Sequence, residues 1–415
     1  MSTVDARPLA ADAALRARAA AVIPGGMYGH QNAAPLPAGF PQFMARGLGA
    51  RVWDVDGNEY VDLMCSYGPV IVGHHHRKID AAARAQQEQA DCQNAPSPRM
   101  VELAEALTST VAHADWAMFA KNGTDATTLA LTVARAATGR RKVLVARGAY
   151  HGAAPWCTPV PAGTTPEDRA NLGYYRYNDL VSVQEVADQA GDDLAAIIAT
   201  PYRHDVGQDQ ELVDPAFARG LRDLCDRSGA ALILDDVRCG MRLHLGSSWE
   251  PIGVAPDLSA WSKAIANGYP LAALLGSNRF ADGARSVFTT GSFWFSAVAM
   301  AAALTTLDVL RSENAVAVMA ARGHELRDAL AEQARRYDLA ITQSGPVQMP
   351  FLTFAADRDF ALANIFAAES LRRGVFLHPR HNWFVSAAMT GADVEYALQA
   401  TDHAFAAVRD HLDHG

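Results

Sequence analysis

The sequence predicts an α/β fold in which a large domain, built on a mostly parallel sheet sandwiched by helices, accompanies a smaller α+β domain. From about residue 101, short β-branched and aliphatic runs alternate with helical runs, a pattern typical of parallel strands joined by helices. No repeat or long linker interrupts it, and 415 residues suffice for two domains. We predict an N-terminal arm and part of the small domain over 1–60, the large domain over 61–311, and the C-terminal small domain over 312–415.

Each predicted element follows from the local pattern of apolar and polar residues. The N-terminal segment has the pattern of an amphipathic helix, and its Asp and Arg residues are atypical of a secretion signal. Further helices are predicted at 101–111, 125–139, 215–229 and from 301 onward, and strands at 115–120, 142–148, 194–201, 231–236 and 257–261. In the C-terminal part we predict helices at 317–338, 361–374 and 393–412 and strands at 349–355 and 375–379.

The composition excludes several classes of protein. Half of the residues are apolar, a fifth are charged, and the net charge of −9 is unsuited to a nucleic-acid or anionic-membrane surface. No apolar run approaches the length of about 18 residues that a membrane span needs. Five scattered cysteines fit reduced thiols, and the adjacent His74, His75 and His76 do not converge on one ion. We therefore expect a cytoplasmic protein with no metal site, no nucleic-acid partner and no membrane partner.

Polar residues with distinct chemistry follow two of the predicted strands, at the sheet edge where ligands bind in α/β folds. In "FAKNGTDATT", Gly123 and Thr124 lie in a turn before a helix, whose first amides form an anion site. In "ALILDDVRCG", Asp235 ends a buried strand, where a carboxylate needs a cation or strong donors. Taken alone, the turn could be an ordinary helix start, and Asp235 could be a helix cap or a structural ion pair.

Lys263 lies in the apolar stretch "PDLSAWSKAIANGYPLAALLGS", in a chain with only four lysines among 36 basic residues. Burial lowers the pKa of a lysine and leaves a neutral amine that attacks carbonyls. A lysine that extends to solvent from the end of an element is the alternative, although arginine could serve most surface roles. Together, an anion site, a buried Asp and a nucleophilic Lys fit pyridoxal phosphate, and Tyr150 would stack on its ring.

At these residues the chain resembles the class III aminotransferases of pyridoxal-phosphate fold type I, and within them the glutamate-1-semialdehyde aminomutase branch. The motifs that carry the resemblance include "GARVWDVDGNEYVDLMCSYGPVIVGHHH", "NGTDA", "LILDDVRCGMR" and "TGSFWFSAVAMAA". It implies that Lys263 is the Schiff-base lysine and catalytic base, and that Asp235 pairs with the pyridine nitrogen. Further cofactor contacts that it implies are Asn122, Gly123, Thr124, Tyr150, His151, Val237 and Ser292. Because the family residue at Ser292 reaches the phosphate of the neighbouring subunit, it also implies a homodimer with active sites at the subunit interface.

Departures from the aminomutase pattern bear on the substrate. Asn32 stands where that branch has an arginine for the substrate carboxylate, and Thr200 replaces an acidic residue. The segment "FWFSA" adds aromatic residues after Ser292. Such a site suits an amine or a bulky donor better than a small amino acid. The segments "IPGGMYGH", "HADWAMF", "DDVR" and "GSFWFSA" also resemble the fumonisin aminotransferases, which deaminate a long amino-polyol.

The resulting prediction is a ping-pong aminotransferase that moves an amino group from a bulky or long-chain amine to a keto acid such as pyruvate. The candidate substrate contacts are Tyr28, Tyr67, Arg238, Trp294 and Arg380, each of which could equally be a core residue or a member of a structural ion pair. An intramolecular aminomutase is the first alternative. A non-catalytic pyridoxal-phosphate homologue and an unrelated α/β enzyme are the others.

Overall fold

The computed structural model describes residues 7–355, 357 and 359–414. The chain divides into two units. The first unit comprises Met1–His76, Val206–Asp209 and Ala317–Gly415, and the second comprises Arg77–Asp205 and Gln210–Val316. The domain bounds expected from the sequence, at residues 61 and 312, stay a prediction.

The regular elements are numbered in chain order. The helices are α1 (Ala10–Val22), α2 (Arg77–Gln89), α3 (Arg99–Thr110), α4 (Gly123–Thr138), α5 (Leu180–Ala190), α6 (Pro215–Ser228), α7 (Ala281–Ser286), α8 (Ala297–Ser312), α9 (Ala315–Arg336), α10 (Ala361–Arg372) and α11 (Gly391–His414). The strands are β1 (Met44–Leu48), β2 (Arg51–Asp54), β3 (Glu59–Asp62), β4 (Trp116–Ala120), β5 (Lys142–Ala146), β6 (Leu172–Tyr175), β7 (Leu194–Ala199), β8 (Tyr202–Arg203), β9 (Glu211–Leu212), β10 (Ala231–Asp235), β11 (Leu258–Trp261), β12 (Ala272–Gly276), β13 (Ile341–Ser344), β14 (Phe351–Phe354) and β15 (Val375–Phe376).

A seven-stranded sheet forms the centre of the second unit. Its strand order is β4-β12-β11-β10-β7-β5-β6, and only β12 runs antiparallel to its neighbours. Alternate residues of β10 enter different cores: Leu232 packs on the side of α5 and α6, and Ile233 packs on the side of α4. Every residue of β10 is buried for this reason. The predicted mostly parallel sheet with helices on both faces is confirmed.

The first unit combines the N-terminal and C-terminal parts of the chain. Strands β1, β2, β3 and β15 form one sheet, in which β15 pairs parallel with β3. Arg51 of β2 forms an ion pair with Asp393 of α11 at 2.9 Å, which joins the two parts again. The predicted helices at 317–338, 361–374 and 393–412 match α9, α10 and α11 within two residues at each end.

Two properties of the described residues bear on the class of protein. None of the helices over residues 7–355, 357 and 359–414 is both long and apolar enough to cross a membrane. Within the same ranges, no group of three or more His, Cys, Asp or Glu residues is arranged to hold a metal ion.

The sheet of the second unit brings the predicted chemistry to one edge. Strands β4, β5, β10 and β11 run in the same direction, so the loops that follow them leave the sheet on the same side. These loops carry Asn122, Tyr150, Val237 and Lys263. Carboxyl ends of parallel strands are the usual position of a ligand site in such folds.

Candidate active site

The turn between β4 and α4 presents amide donors to an anion. Asn122 caps α4 by accepting a hydrogen bond from the Asp125 amide at 3.1 Å, and the Asp125 carboxylate accepts one from the Asn122 amide at 3.2 Å. The amides of Gly123 and Thr124 belong to the first turn, whose donors a helix cannot satisfy itself. The positive end of the helix dipole adds to their attraction for an anion.

The loop after β5 is fixed against this helix start. Thr127 Oγ1 donates to the His151 carbonyl oxygen at 2.7 Å, and the Ala153 amide donates to Thr124 Oγ1 at 3.1 Å. These bonds place the predicted ring-stacking residue, Tyr150, immediately before a segment that contacts the anion turn. Tyr150 itself is exposed.

Val237 also packs against the anion turn. A Cβ added at Gly123 would lie 2.7 Å from Val237 Cγ1, so only glycine permits this close approach. Trp294 packs with Val237 on a cluster of buried alanines, which gives this candidate substrate residue a place in the core beside the site. Ser292 lies on an exposed segment of the same unit, and its reach to a neighbouring subunit stays a prediction.

Asp235 and His151 form a buried pair. His151 Nδ1 lies 2.6 Å from Asp235 Oδ2, and the Val237 amide donates to Asp235 Oδ1 at 3.2 Å. Both side chains are almost completely buried, and His151 stacks on Trp156 with ring centroids 6.1 Å apart. A buried carboxylate requires hydrogen-bond partners, and the His151 ring nitrogen and the Val237 amide provide contacts to both oxygens of Asp235.

Lys263 lies directly after β11, at the start of a short 3-10 helix over Lys263–Ala266. Its φ of +48° is left-handed, a backbone conformation that costs free energy for a lysine. Burial, together with the positive charge of Arg238, lowers the pKa of Lys263 to about 7, although the nearby Asp235 carboxylate partly opposes this shift. A substantial fraction of the amine is therefore available as a neutral nucleophile near neutral pH.

The lowered pKa of Lys263 makes a testable prediction for the cofactor-free protein. Between about pH 7 and 10 the unfolded chain holds a proton here that the folded chain has lost, so the penalty that this group imposes on folding decreases as the pH rises. Trace acylation of Lys263, followed by mass spectrometry, is expected to have its midpoint near pH 7 and to approach its plateau about one pH unit higher. A lysine in a short peptide in the same tube continues to gain reactivity towards pH 10. A midpoint for Lys263 above pH 9 would contradict the prediction.

Two residues at this edge, Tyr202 and His204, were not indicated by the sequence, and Arg238 was indicated as a candidate substrate contact. Arg238 is buried and shares a hydrogen bond with the Tyr202 side chain. His204 is buried, and its ring contacts Tyr202 edge-on with centroids 5.3 Å apart. Burial, together with the positive charges of Arg238 and Lys263, holds the pKa of His204 well below its ordinary value. The sequence contained one signal for Tyr202 and His204, which is their position shortly after the buried strand β7.

Three of the candidate substrate contacts belong to the first unit. Tyr28 is exposed. The hydroxyl of Tyr67 donates to the His30 carbonyl oxygen at 2.7 Å, and burial raises the pKa of Tyr67 to about 12. The Arg380 guanidinium lies over the Phe360 ring, 5.7 Å from its centroid. Their predicted roles toward a substrate stay predictions, as does the role of Arg238.

The chain is similar to known aminotransferases over almost its whole length. Residues 37–385 match the family described as aminotransferase class-III. The aminopentol aminotransferase of Sphingopyxis macrogoltabida is 52% identical over 394 residues, which cover 95% of this chain and 93% of the relative. The glutamate-1-semialdehyde 2,1-aminomutase of Desulforamulus reducens is 32% identical, covering 93% of this chain and 95% of the relative.

A solved structure agrees with these relatives. The FumI protein of Sphingopyxis sp. MTA144, in its PLP internal aldimine form, superposes with a TM-score of 0.96 at 50% identity and covers 97% of each chain. The fold is that of a pyridoxal-phosphate-dependent transferase. The chain belongs to the class III aminotransferases, and its cofactor is pyridoxal phosphate. The predicted family, enzyme class and cofactor are confirmed.

Proposed function

We propose that this aminotransferase takes its amino group from a long-chain amine of the amino-polyol type and delivers it to a keto acid such as pyruvate. The observation that carries the proposal is the 52% identity with an aminopentol aminotransferase across nearly the whole chain. Asn32, in the position where the aminomutase branch has an arginine, supports a donor without a carboxylate at that point.

The residues at the sheet edge fit the cofactor. The first-turn amides of Gly123 and Thr124 suit its phosphate, and the buried carboxylate of Asp235 suits a protonated ring nitrogen. Lys263 supplies an amine with a pKa of about 7 for its aldehyde. Val237 and Tyr150 are assigned to the two faces of the ring. When bound, pyridoxal phosphate supplies a carbonyl that takes up the donor nitrogen and a ring that withdraws electrons from the carbon beside it.

The protein residues then have separate tasks. Nζ of Lys263 removes the proton from the carbon that bears the amino group and returns a proton to the acceptor carbon in the second half-reaction. Asp235, held by His151 and the Val237 amide, would pair with the ring nitrogen of the cofactor. Arg238 is the candidate in the second unit for the acceptor carboxylate, because it is buried within electrostatic range of Lys263. Arg380 is the corresponding candidate in the first unit.

The functional form is proposed to be a cytoplasmic homodimer in which Ser292 reaches the phosphate site of the neighbouring subunit. The segment around Ser292 supports an interface there, because Phe288 is 92% exposed and Phe293 is 66% exposed. Large aromatic side chains with this exposure are typical of surfaces that a partner covers.

The donor is tested by a half-reaction followed through the visible spectrum of the cofactor. The pyridoxal-phosphate form is mixed, without acceptor, with alanine, glutamate, a long-chain aliphatic amine or an amino-polyol. We expect the long amines to bleach the spectrum faster than glutamate, and pyruvate to restore it.

Two other outcomes would change the conclusion. Bleaching by glutamate but by neither long amine would contradict the proposed donor. Conversion of a diamino or amino-aldehyde acid to its isomer, with no need for pyruvate, would favour the aminomutase. The 32% identity with a glutamate-1-semialdehyde 2,1-aminomutase is the observation behind this alternative.

A further inference from the structure

Helix α4 holds the loop that carries His151 by more than its backbone. Besides the two bonds from this helix described above, Thr128 Oγ1 accepts a hydrogen bond from Trp156 Nε1 at 3.0 Å. The loop approaches the helix so closely at Gly152 that an added Cβ would lie 2.4 Å from Thr124 Oγ1. The anion turn at the start of α4 and the loop around His151 are therefore fixed to each other.

The indole of Trp156 lies against the imidazole of His151. The two ring planes are inclined by 18° and their centroids are 6.1 Å apart, a separation at which aromatic rings attract each other. Trp156 also packs against the buried core on the α4 side of the sheet. Because its N–H is bonded to Thr128 and its ring contacts the core, the indole is a firm support for the imidazole.

His151 reaches Asp235 through one ring nitrogen, while its other nitrogen has no hydrogen bond. Nδ1 lies 2.6 Å from Asp235 Oδ2, and Nε2 is buried without a hydrogen-bond partner in the described part of the chain. An ionised carboxylate only accepts hydrogen bonds, so Nδ1 is the donor in this pair. A single hydrogen bond leaves the imidazole free to turn about the line that joins the two atoms. The stacked indole restrains this rotation.

We propose that Trp156 is a positioning residue for transamination, whose stacked indole holds His151 so that Asp235 stays directed at the ring nitrogen of the cofactor. Thr128 anchors the indole. The inference rests on the proposed pairing of Asp235 with that nitrogen. Substitution of Trp156 should therefore weaken this one contact more than the remaining contacts of the cofactor.

The test compares the binding of pyridoxal phosphate with that of its analogue in which a C–H group replaces the ring nitrogen. Both compounds keep the phosphate and the aldehyde, but only pyridoxal phosphate can pair with Asp235. The two dissociation constants are measured by absorbance titration of the cofactor-free full chain, for the wild type, Trp156→Leu and Trp156→Phe. Their ratio reports the contact at the ring nitrogen and needs no turnover.

The ratio should follow the stacked ring. We expect the wild type to prefer pyridoxal phosphate at least about tenfold, as a hydrogen bond to a charged group provides. Trp156→Leu should lower this preference about threefold, at the scale of one aromatic pair. Trp156→Phe keeps a stacking face and should retain most of the preference. His151→Phe should lower it at least as far as Trp156→Leu, and the double variant no further, because a positioning residue acts through the residue it contacts.

Two threonines of α4 provide a matched pair of variants that are nearly unchanged in shape. Thr128→Val removes the acceptor of the indole N–H and should lower the ratio about twofold, as the loss of one neutral hydrogen bond allows. Thr132 is exposed and donates to the Thr128 carbonyl oxygen at 2.9 Å within the same helix. Thr132→Val should leave the ratio unchanged.

The outcomes separate the inference from the proposed function. An equal loss of affinity for both compounds in Trp156→Leu, with an unchanged ratio, would assign Trp156 a merely structural role and overturn the inference alone. A ratio that His151→Phe leaves unchanged would do the same. If the wild type binds both compounds equally, the pairing of Asp235 with the ring nitrogen is wrong and the inference falls with it, whereas the panel of donors tests the proposed donor separately.

Discussion

Replacement of Lys263 by alanine is expected to lower turnover by at least about a thousandfold, within the range that loss of a general base produces. The reason is that this amine, with its pKa lowered to about 7, combines the attachment of the cofactor with proton transfer. The measurement is the initial rate of pyruvate-dependent transamination. Borohydride treatment of the wild type, followed by peptide mass spectrometry, should place the reduced cofactor on Lys263.

Two control variants sharpen this prediction. Lys142→Ala removes a lysine of β5 that donates to the Ala170 carbonyl oxygen at 2.9 Å, and it should retain most of the activity. Lys263→Arg keeps a positive charge but cannot provide a neutral amine, so it should be as inactive as the alanine variant. Turnover of Lys263→Ala within tenfold of the wild type would show that another group removes the proton.

Helices and strands were predictable where the apolar pattern is strong. Strands were missed where they are short, or where the sequence does not distinguish a buried strand of either direction from a buried helix. The fully buried run of β10 and the helical run of α4 were both identified. Strand β12 was missed because "AALLG" is buried throughout, and such a pattern is the same for a parallel strand, an antiparallel strand or a short buried helix. Strands β1 to β3 have only four or five residues, some of them exposed, so they lack a clear period.

The site was predictable in its residue types but not in its contacts. Asp235 was indicated because it ends a buried strand, and Lys263 because it is an isolated lysine in an apolar stretch. The bond between His151 and Asp235 joins residues 84 positions apart, and it depends on loop conformations that no periodic pattern encodes. His204 was missed for the same reason, since a histidine in an irregular segment resembles any surface histidine until its burial is known.

Asp235→Asn is the second substitution with a large expected effect, a fall of about a hundredfold or more in the donor half-reaction, at the scale of a lost charged interaction in a buried site. Asparagine keeps nearly the same shape and can still accept the Val237 amide. It removes the negative charge that favours a protonated ring nitrogen. The rate is measured as bleaching of the cofactor by the long-chain amine in a single turnover.

Substitution of the adjacent Asp236 is the control for Asp235→Asn. It separates the effect of a charge at the cofactor ring from the effect of any buried charge in the core. Asp236 is also buried, but it accepts hydrogen bonds from the Ser248 amide at 3.0 Å and from the Ser248 hydroxyl, away from His151. Burial raises the pKa of Asp236 to about 7, so its ionised form weakens folding as the pH rises through 7. Asp236→Asn should therefore hold or raise the melting temperature at pH 8 and change the half-reaction less than tenfold. Equal losses in the two variants would mean that the charge of Asp235 has no special relation to the cofactor ring.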